Sequence, residues 1–181
     1  MFENKENQKM RGSAEVKLIG PDGEIKETRF IPNLVVQNGK NYIATRILGT
    51  ASGTWAASNY VTSSLTSAMT HMAIGSSTTA AVVTDVSLGG EIAVAGDISA
   101  YARMYMSSAS QTTGVVTYIT TFGVNNPNRT ITSNTTAITE AGIFNSSTSA
   151  LGGTMLCRTT FNPVNKGNDD TLQITWTITV S

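Results

Sequence analysis

The strictest pattern of hydrophobic and polar positions lies at the end of the chain, in residues 171–181. Large apolar residues alternate there with Thr, Gln and Ser, and a period of two over this length predicts a β-strand with one buried and one solvated face. Five large apolar side chains on one face need a second layer of structure to cover them. The predicted core residues of this strand are Leu172, Ile174, Trp176, Ile178 and Val180.

Shorter segments with strand character fill most of the remaining chain. Residues 14–19 and 24–31 flank a Gly-Pro-Asp-Gly turn at 20–23 and therefore predict a β-hairpin. The other predicted strands are 33–36, 71–75, 101–106, 115–122, 138–144 and 154–161. We expect 101–106 to pair with 115–122 and residues 162–170 to form a polar loop. Gly142, inside one predicted strand, indicates a β-bulge or a close approach of another segment.

One segment has helical spacing. Asn38 stands where a helix N-cap is expected, and Gly49 stands where a C-cap is expected. The apolar residues between them that share one face are Tyr42, Ile43, Ile47 and Leu48. We therefore predict one short helix over 39–48 among about eight strands, which is typical of an all-β protein. The expected architecture is an antiparallel, jelly-roll-like β-sandwich.

The chain of 181 residues is long enough for one domain with a core. Residues 1–11 have no core-facing period, so they predict a flexible N-terminal arm ahead of a single β-sandwich domain at 12–181. No segment approaches the roughly 20 consecutive apolar residues of a membrane span, and the polar N-terminus lacks the apolar run of a secretory signal. We expect no membrane partner and no Sec-dependent export.

The low proportion of charged residues indicates how the surface of the protein is used. Only 13% of the residues are charged, against roughly 25% in typical soluble domains. A surface of Ser, Thr, Asn and Gly loses little side-chain entropy when it is covered, which suits a protein that packs against another. Twelve basic and twelve acidic residues cancel, so that no field favours nucleic acid or an anionic membrane surface.

Few residues have the chemistry of a catalytic or metal site. His71 is the only histidine, so that a histidine pair for a metal is excluded and any catalytic triad would have to use it. A hydrogen-bonded structural histidine is the simpler interpretation. Cys157 is the single cysteine, which excludes an internal disulfide and favours a buried thiol. We predict no catalytic residue, no cofactor and no metal.

A calcium site is the one metal hypothesis that the sequence offers. Oxygen ligands gather near the last strand, at Asn165, Asn168, Asp169 and Asp170. Their spacing does not match an EF-hand loop, and two adjacent acids before a strand are more often part of a solvated turn. The turn is therefore preferred to the ion site.

The predicted long loop 49–70 carries isolated large side chains in a small, polar surround. We predict an interface there, because such side chains are typical anchors between protomers. The interface residues are Trp55, Tyr60, Val61 and Leu65. A receptor- or glycan-binding module is an alternative, in which Trp55, Tyr60, Tyr101 and Tyr105 stack on saccharides.

Several stretches together resemble a family. They are the turn at 20–23, residues 33–44, the run Ile-Thr-Glu-Ala-Gly-Ile-Phe at 138–144, residues 152–161 and residues 170–179. In these stretches, which cover about half of the chain, the sequence is similar to small virion structural proteins of tailed bacteriophages. Residues 49–130 depart from the family pattern. Similar sequences are capsid decoration or cement proteins and tail or tail-fibre adaptors, and tail-collar fibre proteins have a motif like that at 139–144.

The resemblance implies a non-enzymatic protein of the virion, made in the cytoplasm of the bacterial host. Decoration of the head is preferred, because a compact domain without a long shaft is suited to capping a lattice. The implied partners are the major capsid protein or other virion proteins and further copies of the chain, as a homotrimer by analogy with decoration proteins. A tail or tail-fibre adaptor or collar component is the alternative.

Overall fold

The computed structural model of the chain describes residues 10–48, 68–92, 103–124, 135–147 and 153–180. These residues form nine β-strands and one α-helix, and every strand pairing is antiparallel. The elements are β1 (Met10–Ile19), β2 (Ile25–Val35), α1 (Gln37–Leu48), β3 (His71–Gly75), β4 (Met104–Tyr105), β5 (Ser108–Thr112), β6 (Val115–Phe122), β7 (Thr135–Phe144), β8 (Met155–Gly167) and β9 (Thr171–Val180). The prediction of an all-β protein with one short helix is confirmed.

The nine strands form one continuous sheet that curls. Their order is β4-β3-β7-β8-β2-β1-β9-β6-β5. The joint between β8 and β2 is narrow, because β2 pairs with β8 only through Leu34 and Val35 and with β1 along most of its length. β4, at one end of the sheet, also contacts β6 near the other end. One hydrophobic core therefore collects side chains from both halves of the sheet.

The final strand lies at the centre of one half, between β1 and β6. Its alternation is confirmed, since Leu172, Ile174 and Trp176 are fully buried and Ile178 nearly so. Val180 differs from the prediction and is 48% exposed. Val180 is the last residue of the strand and lies opposite Met10, one step beyond Ile178, the last buried residue of this face.

The first hairpin is also confirmed, with two differences at its ends. β1 begins at Met10, inside the predicted arm, because Met10 and Arg11 pair with β9; residues 1–9 lie outside the described part. β2 continues through Pro32 to Val35 and so includes residues 33–35 of the predicted separate strand at 33–36, whereas Val36 lies between β2 and α1. Proline is tolerated there because β8 joins β2 only from Leu34 onward, so the missing N–H leaves no partner group unbonded on that side.

The predicted pairing of 101–106 with 115–122 is wrong. β4 pairs with β3, whereas β6 pairs with β9 and with β5. β5 is a strand of small polar residues that have no hydrophobic alternation, so the sequence pattern did not predict it. It joins β6 through a two-residue turn in which Thr113 and Gly114 both have positive φ, 46° and 75°. Such turns match the twist of a β-hairpin.

The predicted polar loop at 162–170 is too long. β8 continues through Pro163 to Gly167 and pairs with β7 along that length, which leaves a short turn before β9. Gly142 on β7 has the predicted close approach, since a Cβ atom there would lie 3.0 Å from Leu88 Cδ2 and 3.1 Å from the Cys157 carbonyl oxygen. A register shift follows it, between Ile143 and Phe144.

Helix α1 begins at Gln37, two residues before the predicted start, and runs to Leu48. It packs closely on β8, because Gly39 has no Cβ and its backbone can reach the Leu156 carbonyl. Tyr42 is buried and Ile43 is half-buried, as the predicted apolar face requires. In the part of the chain that the structure describes, no helix is both long and apolar enough to cross a membrane.

Candidate interaction surface

The loop between β3 and Glu91, residues 76–90, contains no regular strand or helix but is fixed to the sheet; we call it the valine loop. Its two ends are held together, because Ser76 N–H donates to the Gly90 carbonyl at 2.9 Å. In its middle, Asp85 closes a turn: the Val82 N–H donates to Asp85 Oδ2 at 2.9 Å. The Val83 carbonyl accepts the Gln37 N–H at 2.7 Å, which ties the loop to the start of α1.

A buried carboxylate holds both ends of the valine loop. Glu140 on β7 is fully buried, and its Oε1 accepts the N–H groups of Gly90 at 2.6 Å and Ser77 at 3.2 Å. Its Oε2 accepts the Gly89 N–H at 3.1 Å. Three backbone donors thus replace water around an ionised group, which is the condition for burying it.

The positive partner of Glu140 is Arg158 on β8, which is 2% exposed. Its Nε and Nη2 lie 2.9 and 2.8 Å from Glu140 Oε2. Its Nη1 donates to Asp85 Oδ2 at 2.7 Å, and Nη2 also donates to the Thr79 carbonyl at 3.0 Å. Burial by itself lowers the pKa of Arg158, but the hydrogen bonds to Asp85 and Glu140 outweigh it and raise the pKa. One guanidinium therefore fastens the sheet to two points of the loop.

The sequence permits this arrangement by leaving space at two glycines. A Cβ atom at Gly75 would overlap the Glu140 side chain, and a Cβ at Gly89 would lie 2.6 Å from Ser77 Oγ. A further bond runs from Thr139 Oγ1 to the Ser77 carbonyl at 2.9 Å. The run Thr-Glu-Ala-Gly at 139–142 thus has a structural role: it supplies a donor, the carboxylate and a close backbone contact.

The valine loop presents three exposed apolar side chains. Val82, Val83 and Val86 are 50%, 40% and 62% exposed. Beside them is a shallow cleft of about 310 Å³, which Val86 borders together with Asp85 and Arg158. Because the backbone is already fixed, little further order is lost when a partner covers these side chains. The arrangement is suited to contact with an apolar patch of another protein.

His71 lies at a second, smaller cluster on β3. Its Nδ1 is 2.8 Å from Thr70 Oγ1, and its ring meets Tyr105 edge to face at 5.2 Å. Arg103 forms a bidentate ion pair with Glu91 and lies over the Phe144 ring. Burial lowers the pKa of His71, and the charge of Arg103 lowers it further. These surroundings favour the neutral imidazole and agree with a structural histidine.

Replacing His71 by glutamine tests that role. Since its pKa is lowered from 6.5 in the folded state, the unfolded chain binds a proton more readily, and stability should fall as the pH is lowered below about 6.5. In His71→Gln this part of the pH dependence should disappear, while stability at neutral pH should change by no more than about 1 kcal/mol. Thermal unfolding across the pH range measures both quantities. A variant that keeps the full pH dependence would contradict the assignment.

One of the four candidate calcium ligands, Asp170, has other partners. Asp170 Oδ1 accepts Lys26 Nζ at 2.7 Å, and its Oδ2 accepts the Gly167 N–H at 2.9 Å. Burial by itself raises the pKa of Asp170, but the bonds from Lys26 and Gly167 outweigh it and lower the pKa. Asn165 is exposed on β8. Within the described ranges, no three His, Cys, Asp or Glu side chains gather as a metal site requires.

Of the other residues singled out in the sequence, some are described by the structure and some lie outside the described residues. Cys157 is fully buried, and this burial raises the pKa of its thiol. The predicted interface residues Trp55, Tyr60, Val61 and Leu65, and also Tyr101, lie outside the described residues, whereas Tyr105 is 67% exposed. The valine loop was not predicted as a surface. Its signal in the sequence is three valines within five residues of an otherwise small and polar loop.

Comparisons of the chain with protein-family models, with curated proteins and with solved structures gave no match. These comparisons therefore assign no family. The function proposed next depends on the residues of this chain, on their geometry and on the resemblance in its sequence.

Proposed function

We propose that the chain is a non-enzymatic structural protein of a tailed-bacteriophage virion, and specifically a capsid decoration protein. In this role it binds the lattice of the major capsid protein and stabilises the head. The observation that supports the proposal is the valine loop, whose exposed apolar side chains stand on a backbone fixed by buried charges. A decoration protein needs such a surface, because it must recognise a repeated site on a particle without chemistry of its own.

The use of charge in the described residues supports a binding role. Arg158 and Arg103, both almost fully buried, are each paired with carboxylates that fasten loop segments to the sheet. The hydrogen bonds of Arg158 go to Glu140, Asp85 and the Thr79 carbonyl, so that its guanidinium serves the fold. The low proportion of charged residues, 13%, adds to this reading because such a surface loses little side-chain entropy when it is covered.

The proposal extends to architecture and assembly. In it, the two halves of the curled sheet serve as the layers of a jelly-roll-like β-sandwich, and three copies form a homotrimer. The same proposal gives segment 1–9 the function of an arm. It also includes anchoring contacts by Trp55, Tyr60, Val61 and Leu65. The valine loop would then face the capsid while these segments join protomers or reach a neighbouring subunit.

A tail or tail-fibre adaptor is the second candidate, because the motif at 139–144 is similar to one in tail-collar fibre proteins. In this chain the motif has a structural use, since Glu140 holds the valine loop and Gly142 packs beneath Leu88. A motif that serves the fold suits a head protein and a tail protein equally. The head remains preferred, and the position of the chain in a particle decides between them.

Replacing Val82, Val83 and Val86 together by serine should weaken binding to capsids about thirtyfold, since an interface hot spot contributes about 2 kcal/mol or more. Particles of the encoding phage that were assembled without this chain are titrated with the purified protein, and the bound fraction is measured by sedimentation. The fold should be unchanged, because all three side chains are already exposed to water over 40% or more of their surface.

The matched control replaces Val124 and Val180, which are 58% and 48% exposed elsewhere, by serine. This control should bind like the unaltered protein. An equal loss of capsid binding in both variants would show that the valine loop is not the surface that contacts the capsid. A density map of complete particles is the second experiment. Density for this chain on the tail supports the adaptor alternative, and its absence from both head and tail overturns the virion role.

A further inference from the structure

The sheet ends in an unusually bare strand, β5. All five of its residues are exposed, and in the described part of the chain it pairs with β6 alone. Its sequence Ser-Ala-Ser-Gln-Thr contains no charge and no proline. Natural edge strands are normally protected by charged side chains, proline or a covering segment, because an open edge pairs with other strands. Such protection is missing from the residues of β5.

The turn after β5 decides which of its backbone groups face outward. In a two-residue hairpin the closing residues, Thr112 and Val115, exchange hydrogen bonds. Ser110 and Ser108 follow at the same period, so that they too point their N–H and C=O groups at β6. Ala109 and Gln111 therefore direct their N–H and C=O groups away from the sheet, where no described residue bonds to them.

The strands next to this edge are uncharged as well. β5, β6 and β9 are consecutive in the sheet, and none of them contains Asp, Glu, Lys or Arg. The whole chain has a formal charge of zero, so that two copies do not repel each other at long range. The other end of the sheet is different, because β4 has only two residues.

We propose that two copies of the chain pair along β5 in antiparallel orientation, with a two-fold axis at Ser110. This register places Ala109 opposite Gln111 of the partner subunit, so that their outward N–H and C=O groups form the ladder. Ser110 then faces the partner's Ser110 across a non-hydrogen-bonded position. The side chains that meet are small and uncharged, and Ser or Thr pairs across strands are favourable. The sheet becomes continuous through both copies.

The contact is isologous, because each copy uses the same edge. It is short, so we expect a reversible equilibrium in which association rises with concentration. It is also separate from a three-fold contact: pairing along β5 doubles the mass of a single chain and links any larger units that form through other surfaces. This inference requires no virion role, and it stands or fails independently of the capsid proposal.

Charge at position 110 tests the axis directly. In Ser110→Lys two ammonium groups meet at the axis, and in Ser110→Glu two carboxylates meet, so each variant alone should have half the mass of the unaltered chain. Like charges directly opposite each other destabilise a strand pair, whereas opposite charges stabilise it. A mixture of the two variants should therefore regain the full mass. Sedimentation velocity of the full-length chain from micromolar to millimolar concentration measures these masses.

The control is Ser13→Lys, an equal change at an exposed position on β1, well inside the sheet. Its mass should equal that of the unaltered chain. Three results would each overturn the proposal: an unaltered chain whose mass does not exceed that of Ser110→Lys at any concentration, a mixture that stays at half mass, or a control that dissociates as well. Ala109→Pro, which removes one outward N–H without touching the ladder to β6, should also halve the mass.

Discussion

Replacing Trp176 by alanine is expected to lower the free energy of unfolding by about 3–5 kcal/mol, the range for a large buried aromatic side chain. Trp176 has no exposed surface and stands between Ala14 on β1 and Tyr118 on β6. A strand in the middle of the sheet cannot move inward to fill the space, because β1 and β6 hold it on both edges. Denaturant unfolding at equilibrium measures the change.

Two further variants separate the packing contribution from other effects. The indole Nε1 of Trp176 is buried without a hydrogen-bond partner in the described structure, so Trp176→Phe removes an unsatisfied donor along with some volume. It should therefore cost clearly less than the alanine variant. Val180→Ala, on the same strand but exposed, should change stability by no more than about 0.5 kcal/mol. A fully stable Trp176→Ala protein would refute the assignment of the buried face.

Replacing Arg158 by methionine is the second change with a large expected effect, a loss of about 3–5 kcal/mol. Methionine fills similar space but leaves the Glu140 carboxylate buried without its counter-ion. It also removes the bonds to Asp85 and to the Thr79 carbonyl, so the valine loop should loosen. Hydrogen exchange at the amides of Gly89 and Gly90 should accelerate with the loss of stability.

The controls for Arg158 distinguish a buried ion pair from a surface one. Arg29→Met breaks the partly exposed pair with Glu27 and should cost at most about 1 kcal/mol. The double variant Arg158→Met with Glu140→Gln should cost less than the sum of the single variants, because no charge is then left isolated. If Arg158→Met behaves like Arg29→Met, the ion pair does not hold the loop.

The parts of the fold that were predicted from the sequence are those with a local signal. The strand β9 was found because buried and solvated positions alternate within it, and the first hairpin because its turn residues set backbone geometry. Helix α1 was found because its apolar residues recur at helical spacing within a few turns. The predicted N-cap was wrong, since Asn38 is the second residue of the helix, and the predicted C-cap Gly49 lies outside the described residues. β5 was missed because its small polar residues do not alternate with hydrophobic ones, although the turn after it has the conformation of a hairpin turn.

The sequence by itself therefore determined the fold class, the alternating core of β9 and the scarcity of charge. Only the tertiary structure decided which strands are neighbours and what the few buried charges do. Glu140 and Arg158 are 18 residues apart, and Asp85 is 73 residues from Arg158, so no local pattern links them. They meet because β7 and β8 pair and the valine loop returns over both strands. Their attraction is strong in the low-dielectric interior, where a charge left without its partner is costly, and burial depends on the whole fold rather than on neighbouring residues.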